Sequence, residues 1–224
     1  MIAIISDVHG NYPALRAVLK EIDKRGCKEI ISLGDVSGYY CMVNECINEF
    51  RERGIINILG NHDFYVLGRG ECPRSYTVNR ITEYQKKIIT KENMEYLNAS
   101  LPGIDNKLFS ARHGGWRDPI DEYIVTFDFN GVKDNSINIF CSGHTHVQKL
   151  VENEDKLYFN PGSVGQPRDE DPRAAYAIID DENKVHLYRA KYDIDEIAKK
   201  MNTEGFEERT YSCLYVGTKI GGNK

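Results

Sequence analysis

The chain opens on a short apolar run, Met1 to Ile5, that stops at Ser6-Asp7, and apolar residues then recur at Leu15, Val18, Leu19 and Ile22. The first pattern predicts a buried strand, and the second, with its three-and-four spacing, an amphipathic helix. The same alternation repeats. Glu29 to Leu33 predicts a strand ending at Gly34-Asp35, Met42 to Phe50 a helix, and Ile55 to Leu59 a third strand ending at Gly60-Asn61. Strand, helix, strand, helix, strand predicts a parallel sheet joined by right-handed crossovers. Residues 61–75 read as a Gly-containing loop. A helical insert follows over about 76–99, in two segments that end before Leu101-Pro102-Gly103, where it would cap or flank the sheet.

Beyond the insert the pattern changes. Lys107 to Arg112, Ile137 to Ser142, Val147 to Glu152, Lys156 to Phe159, Ala174 to Ile179 and Lys184 to Arg189 all read as strands. Asn153-Glu154-Asp155 and Asp180-Asp181-Glu182-Asn183 fit hairpin loops. A final helix is predicted over about 193–202, followed by a less regular tail. A parallel first half and a hairpin-rich second half predict two sheets packed face to face with helices outside. With no repeat, low-complexity tract or linker, residues 1–224 are expected to form a single domain.

Composition narrows the class without naming a function. The 224 residues are 41% hydrophobic and 28% charged with a net charge of -5, so the chain has enough apolar surface to build a core. This excludes a disordered or collagen-like chain. No run approaches the roughly 20 apolar residues that span a bilayer, and Met1 to Ile5 meets Ser6-Asp7 too early for a signal peptide, so a cytoplasmic location is expected. The six cysteines form no CxxC pair and are expected to be free thiols. No clustered basic stretch points to an extended nucleic-acid surface.

The strand ends carry the chemistry. Asp7 and His9 follow the first strand, Asp35 the second, Asn61, His62 and Asp63 the third, His113 the strand after the insert, and His144 and His146 the next. Ligands of open α/β sheets gather beyond the carboxyl ends of the strands, so these positions are expected to converge. Residues two apart on extended chain point the same way, which would aim Asp7 with His9, and His144 with His146, at common points. Each piece alone reads as easily as a turn or a cap. Five separate strand ends bearing only Asp, Asn and His do not. Carboxylate, amide and imidazole without thiolate suit Mn, Fe, Zn, Co or Ni, and disfavour a structural zinc cage. Seven candidate ligands exceed what one ion needs, and Asp35 as a bridging carboxylate would divide them around a pair of ions roughly 3.5 to 4 Å apart.

In order along the chain, Asp7-Val8-His9-Gly10-Asn11, Gly34-Asp35, Gly60-Asn61-His62-Asp63, His113-Gly114 and Gly143-His144-Thr145-His146 resemble the calcineurin-like metallophosphoesterases. Asn160-Pro161-Gly162-Ser163-Val164-Gly165-Gln166-Pro167-Arg168, and Arg117-Asp118-Pro119 followed by Glu122-Tyr123, are similar to the small prokaryotic phosphodiesterase branch. The resemblance implies an α/β fold, a four-layer α/β/β/α sandwich of two mixed sheets. It implies that Asp7, His9 and His146 bind a first divalent ion, that Asn61, His113 and His144 bind a second, and that Asp35 bridges them. Mn is the leading choice of metal. His62 is similar to the family's catalytic histidine. Two segments depart from the pattern: Val36 to Met42 lacks the relatives' usual prolines, and Gly115-Trp116 replaces Ser-Pro after His113-Gly114. Both bear on substrate choice rather than on the metal site.

From this set a metal-bridging hydroxide is expected to attack phosphorus in line. His62 would stabilise the transition state or protonate the leaving oxygen, and Asp63 would orient it. Asn11 and Arg168 are candidate substrate contacts, Arg168 through a bidentate fork. Tyr39, Tyr40 and Trp116 are candidate walls for a base or aryl group, and His186 reads as a surface residue. The expected substrate is a small phosphodiester, with nucleotide-like compounds among the candidates. The alternatives are a phosphomonoesterase, including a Ser/Thr protein phosphatase, a dinucleoside polyphosphate hydrolase, or a non-catalytic scaffold of the kind found in the retromer subunit.

Overall fold

The computed structural model describes residues 1–73, 75–132 and 136–221. The described residues form ten strands and six α-helices, the elements expected plus a two-residue strand, Ile104–Asp105, and a short helix, Asn61–Val66, that were not. The first half runs β1 (Ile2–Ile5), α1 (Tyr12–Lys24), β2 (Glu29–Ser32), α2 (Val43–Glu52), β3 (Ile56–Asn57), α3 (Asn61–Val66), α4 (Tyr76–Ile88) and α5 (Lys91–Asn98). The second half adds β4 (Ile104–Asp105), β5 (Phe109–Arg112), β6 (Ile139–Ser142), β7 (Lys149–Asn153), β8 (Lys156–Asn160), β9 (Ala174–Ile179), β10 (Val185–Ala190) and α6 (Ile194–Thr203).

The strands form two mixed five-stranded sheets, ordered β10-β9-β1-β2-β3 and β4-β5-β6-β8-β7. β1, β2 and β3 are parallel, as their connecting helices require. The two predicted hairpins form, β7 with β8 and β9 with β10. β9 nevertheless crosses back to pair antiparallel with β1, and β5, β6 and β8 are mutually parallel. Alternation marks a strand but not its partner, which is a long-range choice.

Burial on both faces explains the apolar runs. Ile4, Ile31, Phe109, Cys141, Phe159 and Ala177 meet between the sheets. On the other face of the first sheet, Ala3, Ile5, Tyr176 and Ile178 pack against Leu15, Val18, Leu19 and Ile22 of α1 and Ile47 and Phe50 of α2. The outer face of the second sheet, Phe140 and Tyr158, is covered by the segment carrying Ile124, Phe127 and Val132, with Trp116 alongside. Only a 3-10 turn, Phe129–Gly131, is helical there among the described residues. Phe206, Tyr211 and Leu214 of the tail pack on α6 and on Tyr40.

The segment expected to be loop, 61–75, opens instead with the six-residue α3; residue 74 lies outside the described residues. Such a helix is too short to show a period. Its one local signal was Asp63 three residues after Gly60, where the carboxylate turns back onto the Gly60 N–H. All six cysteines are free thiols. Among the described residues no helix is long and apolar enough to cross a membrane.

Candidate metal centre

β1, β2 and β3 end on one edge of the first sheet, and β5 and β6 bring His113, His144 and His146 to the facing edge of the second. Each loop that follows turns sharply. Asp7, His9, Asp35, His144 and His146 all have φ between 54° and 64°, a left-handed backbone that Asp and His tolerate better than most residues, at a cost of about 1 to 2 kcal/mol each. The expected reason for the Asp-x-His and His-x-His spacing is therefore corrected. These pairs converge through tight left-handed turns, not through extended chain, and strain stored repeatedly in one place points to function. Backbone bonds from Asp7 N to Gly34 O, His9 N to Asp35 O and Gly143 N to His113 O tie the loops together.

The donor atoms then face one another. His9 Nε2 lies 3.0 Å from His146 Nε2 and 3.7 Å from Asp7 Oδ1, and His146 Nε2 lies 3.3 Å from that oxygen. On the other side of Asp35, His113 Nε2 is 3.4 Å from Asp35 Oδ2 and 3.0 Å from Asn61 Oδ1. Asp35 Oδ2 is also 3.9 Å from His9 Nε2, so one oxygen belongs to both groups. Asp7, His9 and His146 form one possible metal cluster, and Asp35, His113 and His144 another.

Tautomers can be assigned from the second partner of each ring. Nδ1 of His9, His113 and His146 sits 3.0, 2.8 and 2.7 Å from the carbonyls of Ser37, Leu33 and Gln166. A carbonyl only accepts, so Nδ1 carries the proton; in His9 and His146 Nε2 turns a lone pair inward, whereas His113 Nε2 also faces an acceptor, Asn61 Oδ1, and carries a proton that a cation would displace. The carboxylates divide their oxygens in the same way. Asp7 Oδ2 accepts from Ser6 Oγ and His144 N, and Asp35 Oδ1 from His62 N. Asp7 Oδ1, Asp35 Oδ2 and His144 Nε2 remain buried with no hydrogen-bond partner among the described residues. Lone pairs that converge at these separations repel unless a cation lies between them, so the residues fit a metal.

Electrostatics agrees. Burial alone would raise the Asp7 and Asp35 carboxyls, but the surrounding imidazoles win and hold both below the ordinary range. Burial, helped by neighbouring cationic groups, pushes His144 down to about 3 and His146 to about 4, which leaves neutral imidazole donors. His113 moves the other way, to about 9: burial opposes, and the Asp35 carboxylate outweighs it. A cation at Asp35 competes for that same nitrogen.

His62 reaches the site on the first turn of α3. Its ring lies 4.8 Å from His9 and 4.6 Å from Tyr39, and it lines a cleft of about 240 Å³ with Asn61, His144, His146 and Arg168. Two expectations are corrected. Asp63 does not orient His62: adjacent helical residues point in different directions, and its carboxylate instead accepts from Asp35 N, Ser37 N, Ser37 Oγ, Asn57 Nδ2 and Gly60 N. It braces the loop that carries Asp35. Asn11 is not offered to the cleft. It is fully buried, its Oδ1 caps α1 at Ala14 N, and its Nδ2 donates to Gly165 O and Tyr192 Oη.

Arg168 is at the cleft, held by Gln166 Oε1 through Nε and Nη2 and by the Tyr39 hydroxyl. Of the candidate aromatic walls only Tyr39 lines it, joined by Tyr123, whose ring lies 5.3 Å from His144. Tyr40 is fully buried against Gln166 and Cys213, and Trp116 packs on Phe127 and Phe140 with Nε1 on Ser110 Oγ. Residues of the insert flank complete the wall: Cys72, Ser75 and Val78. Sequence reading missed these, because nothing local marks which face of an insert meets a distant loop. His186 is exposed and paired with Asp180 at 2.7 Å.

Known proteins resemble this chain in sequence and in fold. An uncharacterized protein of Methanocaldococcus jannaschii is 35% identical over 240 residues, covering 97% of this chain and 98% of its own. A metallophosphoesterase structure from Sphaerobacter thermophilus, 30% identical, superposes with a TM-score of 0.84 over 96% of this chain and 98% of that one. The phosphodiesterase YfcE of Escherichia coli is 25% identical, covering 79% of this chain and 85% of its own. A family profile described as a calcineurin-like phosphoesterase superfamily domain matches residues 1–184. The chain therefore belongs to the calcineurin-like phosphoesterase superfamily.

Proposed function

We propose that this chain is a two-metal phosphodiesterase acting on a small phosphate ester. The observation that carries the reading is Asp35 Oδ2, a buried oxygen with no hydrogen-bond partner that faces two converging sets of lone pairs. Asp7, His9 and His146 would hold one divalent ion, Asn61, His113 and His144 the other, and Asp35 both. Oxygen and imidazole donors without thiolate favour Mn, with Fe, Zn, Co and Ni as alternatives. Such ions, when bound, would supply Lewis acidity and positive charge to offset that of a phosphate.

The chain's own residues do the rest. Burial, foremost, holds His62 well below the ordinary imidazole range, so it is a neutral ring that serves the phosphoryl group or leaving oxygen as a hydrogen-bond donor. Arg168, fixed by Gln166 and Tyr39, faces a non-bridging oxygen. Asp121 Oδ1 lies 3.5 Å from His144 Nε2. A single guanidinium among the described cleft-lining residues suits a monoanionic diester better than a dianionic monoester. The phosphodiesterase name of the E. coli relative agrees with that preference.

The test compares bis-p-nitrophenyl phosphate with p-nitrophenyl phosphate after chelation and reloading with Mn2+, with metal content measured on the same samples. The expected result is two ions per chain, loss of turnover on chelation, and faster hydrolysis of the diester. His62→Ala is expected to lose most turnover and keep its metal. Hydrolysis of neither ester with Mn, Fe, Zn, Co or Ni would overturn the reading.

A further inference from the structure

Tyr39 is the side chain in the cleft whose role the metal set leaves open. Its ring centroid is 4.6 Å from those of His9 and His62 and 6.2 Å from that of His146. Its hydroxyl accepts from Arg168 Nη2 at 3.0 Å, and the Arg168 Cζ lies 5.5 Å from the ring centroid. A phenol oxygen that accepts from a cation still has its own proton to give. Among the described residues no acceptor takes that proton. Tyr39, His62 and Arg168 all line the cleft, so the cleft is the open direction.

The backbone around Tyr39 is held from a distance. Gln85, fully buried on α4, accepts from Gly38 N at 2.9 Å and donates through Nε2 to Gly38 O at 2.6 Å and Tyr40 O at 2.7 Å. One carboxamide thus clamps the peptides on both sides of Tyr39. Gly38 itself accepts no side chain: its φ is +129°, and a Cβ would lie 2.2 Å from His9 Nδ1. Backbone clamp, ring packing and the Arg168 bond fix the hydroxyl before any ligand arrives. A donor oriented in advance in a water-poor site stabilises negative charge without paying for reorganisation.

We propose that the Tyr39 hydroxyl is a substrate-contacting hydrogen-bond donor which, with Arg168, clamps one anionic phosphate oxygen, and that Gln85 is its positioning residue. The pair presents an O–H and N–H groups, so it selects ligands with a charged oxygen acceptor. This rests on the phosphoesterase reading above.

Tyr39→Phe removes the hydroxyl and keeps the ring. In the metal-loaded protein it is expected to lower kcat/KM for bis-p-nitrophenyl phosphate about 10- to 100-fold, the factor set by one hydrogen bond to a charged group. Calorimetry is expected to show inorganic phosphate bound at least about 5-fold more weakly by the same logic, with metal content unchanged. Gln85→Met, or Gln85→Ala if Met does not fold, is expected to weaken phosphate binding in the wild-type background and not in the Tyr39→Phe background. Tm falls under either reading, since three buried hydrogen bonds are lost; a merely structural role for Gln85 would weaken phosphate equally in both backgrounds. Tyr39→Phe with wild-type turnover and phosphate affinity overturns the proposal while the enzyme stands. A wild-type protein that neither hydrolyses the esters nor binds phosphate overturns the functional reading and this proposal with it.

Discussion

Gly60→Ala isolates the centre's dependence on close backbone approach. Gly60 has φ -94° and ψ 172°, so an alanine meets no backbone strain. The cost is steric. An added Cβ would lie 2.0 Å from Asp35 Oδ1, 2.5 Å from Asp35 N and 2.7 Å from Asp35 Cγ, whereas non-bonded carbon and oxygen settle at about 3.5 Å. Asp35 must therefore retreat by roughly 1 Å or more, and overpacking of that size costs about 1 to 3 kcal/mol. In a chain of this length that lowers Tm by about 2 to 4 °C for each kcal/mol. The larger effect falls on function. Asp35 Oδ1 also accepts from His62 N at 2.8 Å, so the retreat moves the shared carboxylate and His62 together. Misplacement by 1 Å costs on the order of 100-fold in rate. Differential scanning calorimetry of the chelated protein, metal content after reloading, and kcat/KM on bis-p-nitrophenyl phosphate read these separately. Tm within 1 °C of wild type, with metal content and turnover unchanged, would refute the reasoning.

Asn11→Ala removes the cap on α1 and the Gly165 contact, and denaturant unfolding is expected to show a loss of about 1 to 3 kcal/mol with KM unchanged. A rise in KM at full stability would return Asn11 to the cleft. Asp171 is held down to about 2 by its hydrogen bonds from Arg173, so its contribution is present above about pH 4 and is lost as pH falls toward 2. Asp171→Asn is expected to cost under about 1 kcal/mol at pH 7, because the pair is partly exposed and solvent screens it. Unfolding curves at pH 7 and near pH 2.5 check the sign: the gap to wild type narrows at the lower value, and a gap that stays constant contradicts the assignment.

Much of this was readable along the chain. The strand-helix alternation of the first half, the two hairpins and the helical insert are local patterns, and each appears where periodicity and turn residues put it. The seven candidate donors were readable for a different reason: Asp, Asn and His have no apolar reason to recur at strand ends. What local pattern missed was also physical. α3 is too short to show a period, and β9 joins the first sheet although its hairpin lies among strands of the second half. Asp63 follows His62 directly, yet on a helix the two side chains diverge, and one faces the cleft while the other braces the Asp35 loop. Asn11 stands beside the metal motif in sequence and points into the body of the protein.

By itself, the sequence determined the element types, the apolar faces and the inventory of donors, because these depend on neighbours within a few residues. Only the tertiary structure decided which atoms of those donors are left over. Whether Asp7 turns Oδ1 or Oδ2 inward, whether His9 presents Nε2, and whether Tyr39 keeps a proton for the cleft all depend on partners from distant segments, such as Ser37, Gln166, Arg168 and Gln85. A side chain's chemistry is set by its type, but its role is set by which of its atoms the fold has already satisfied.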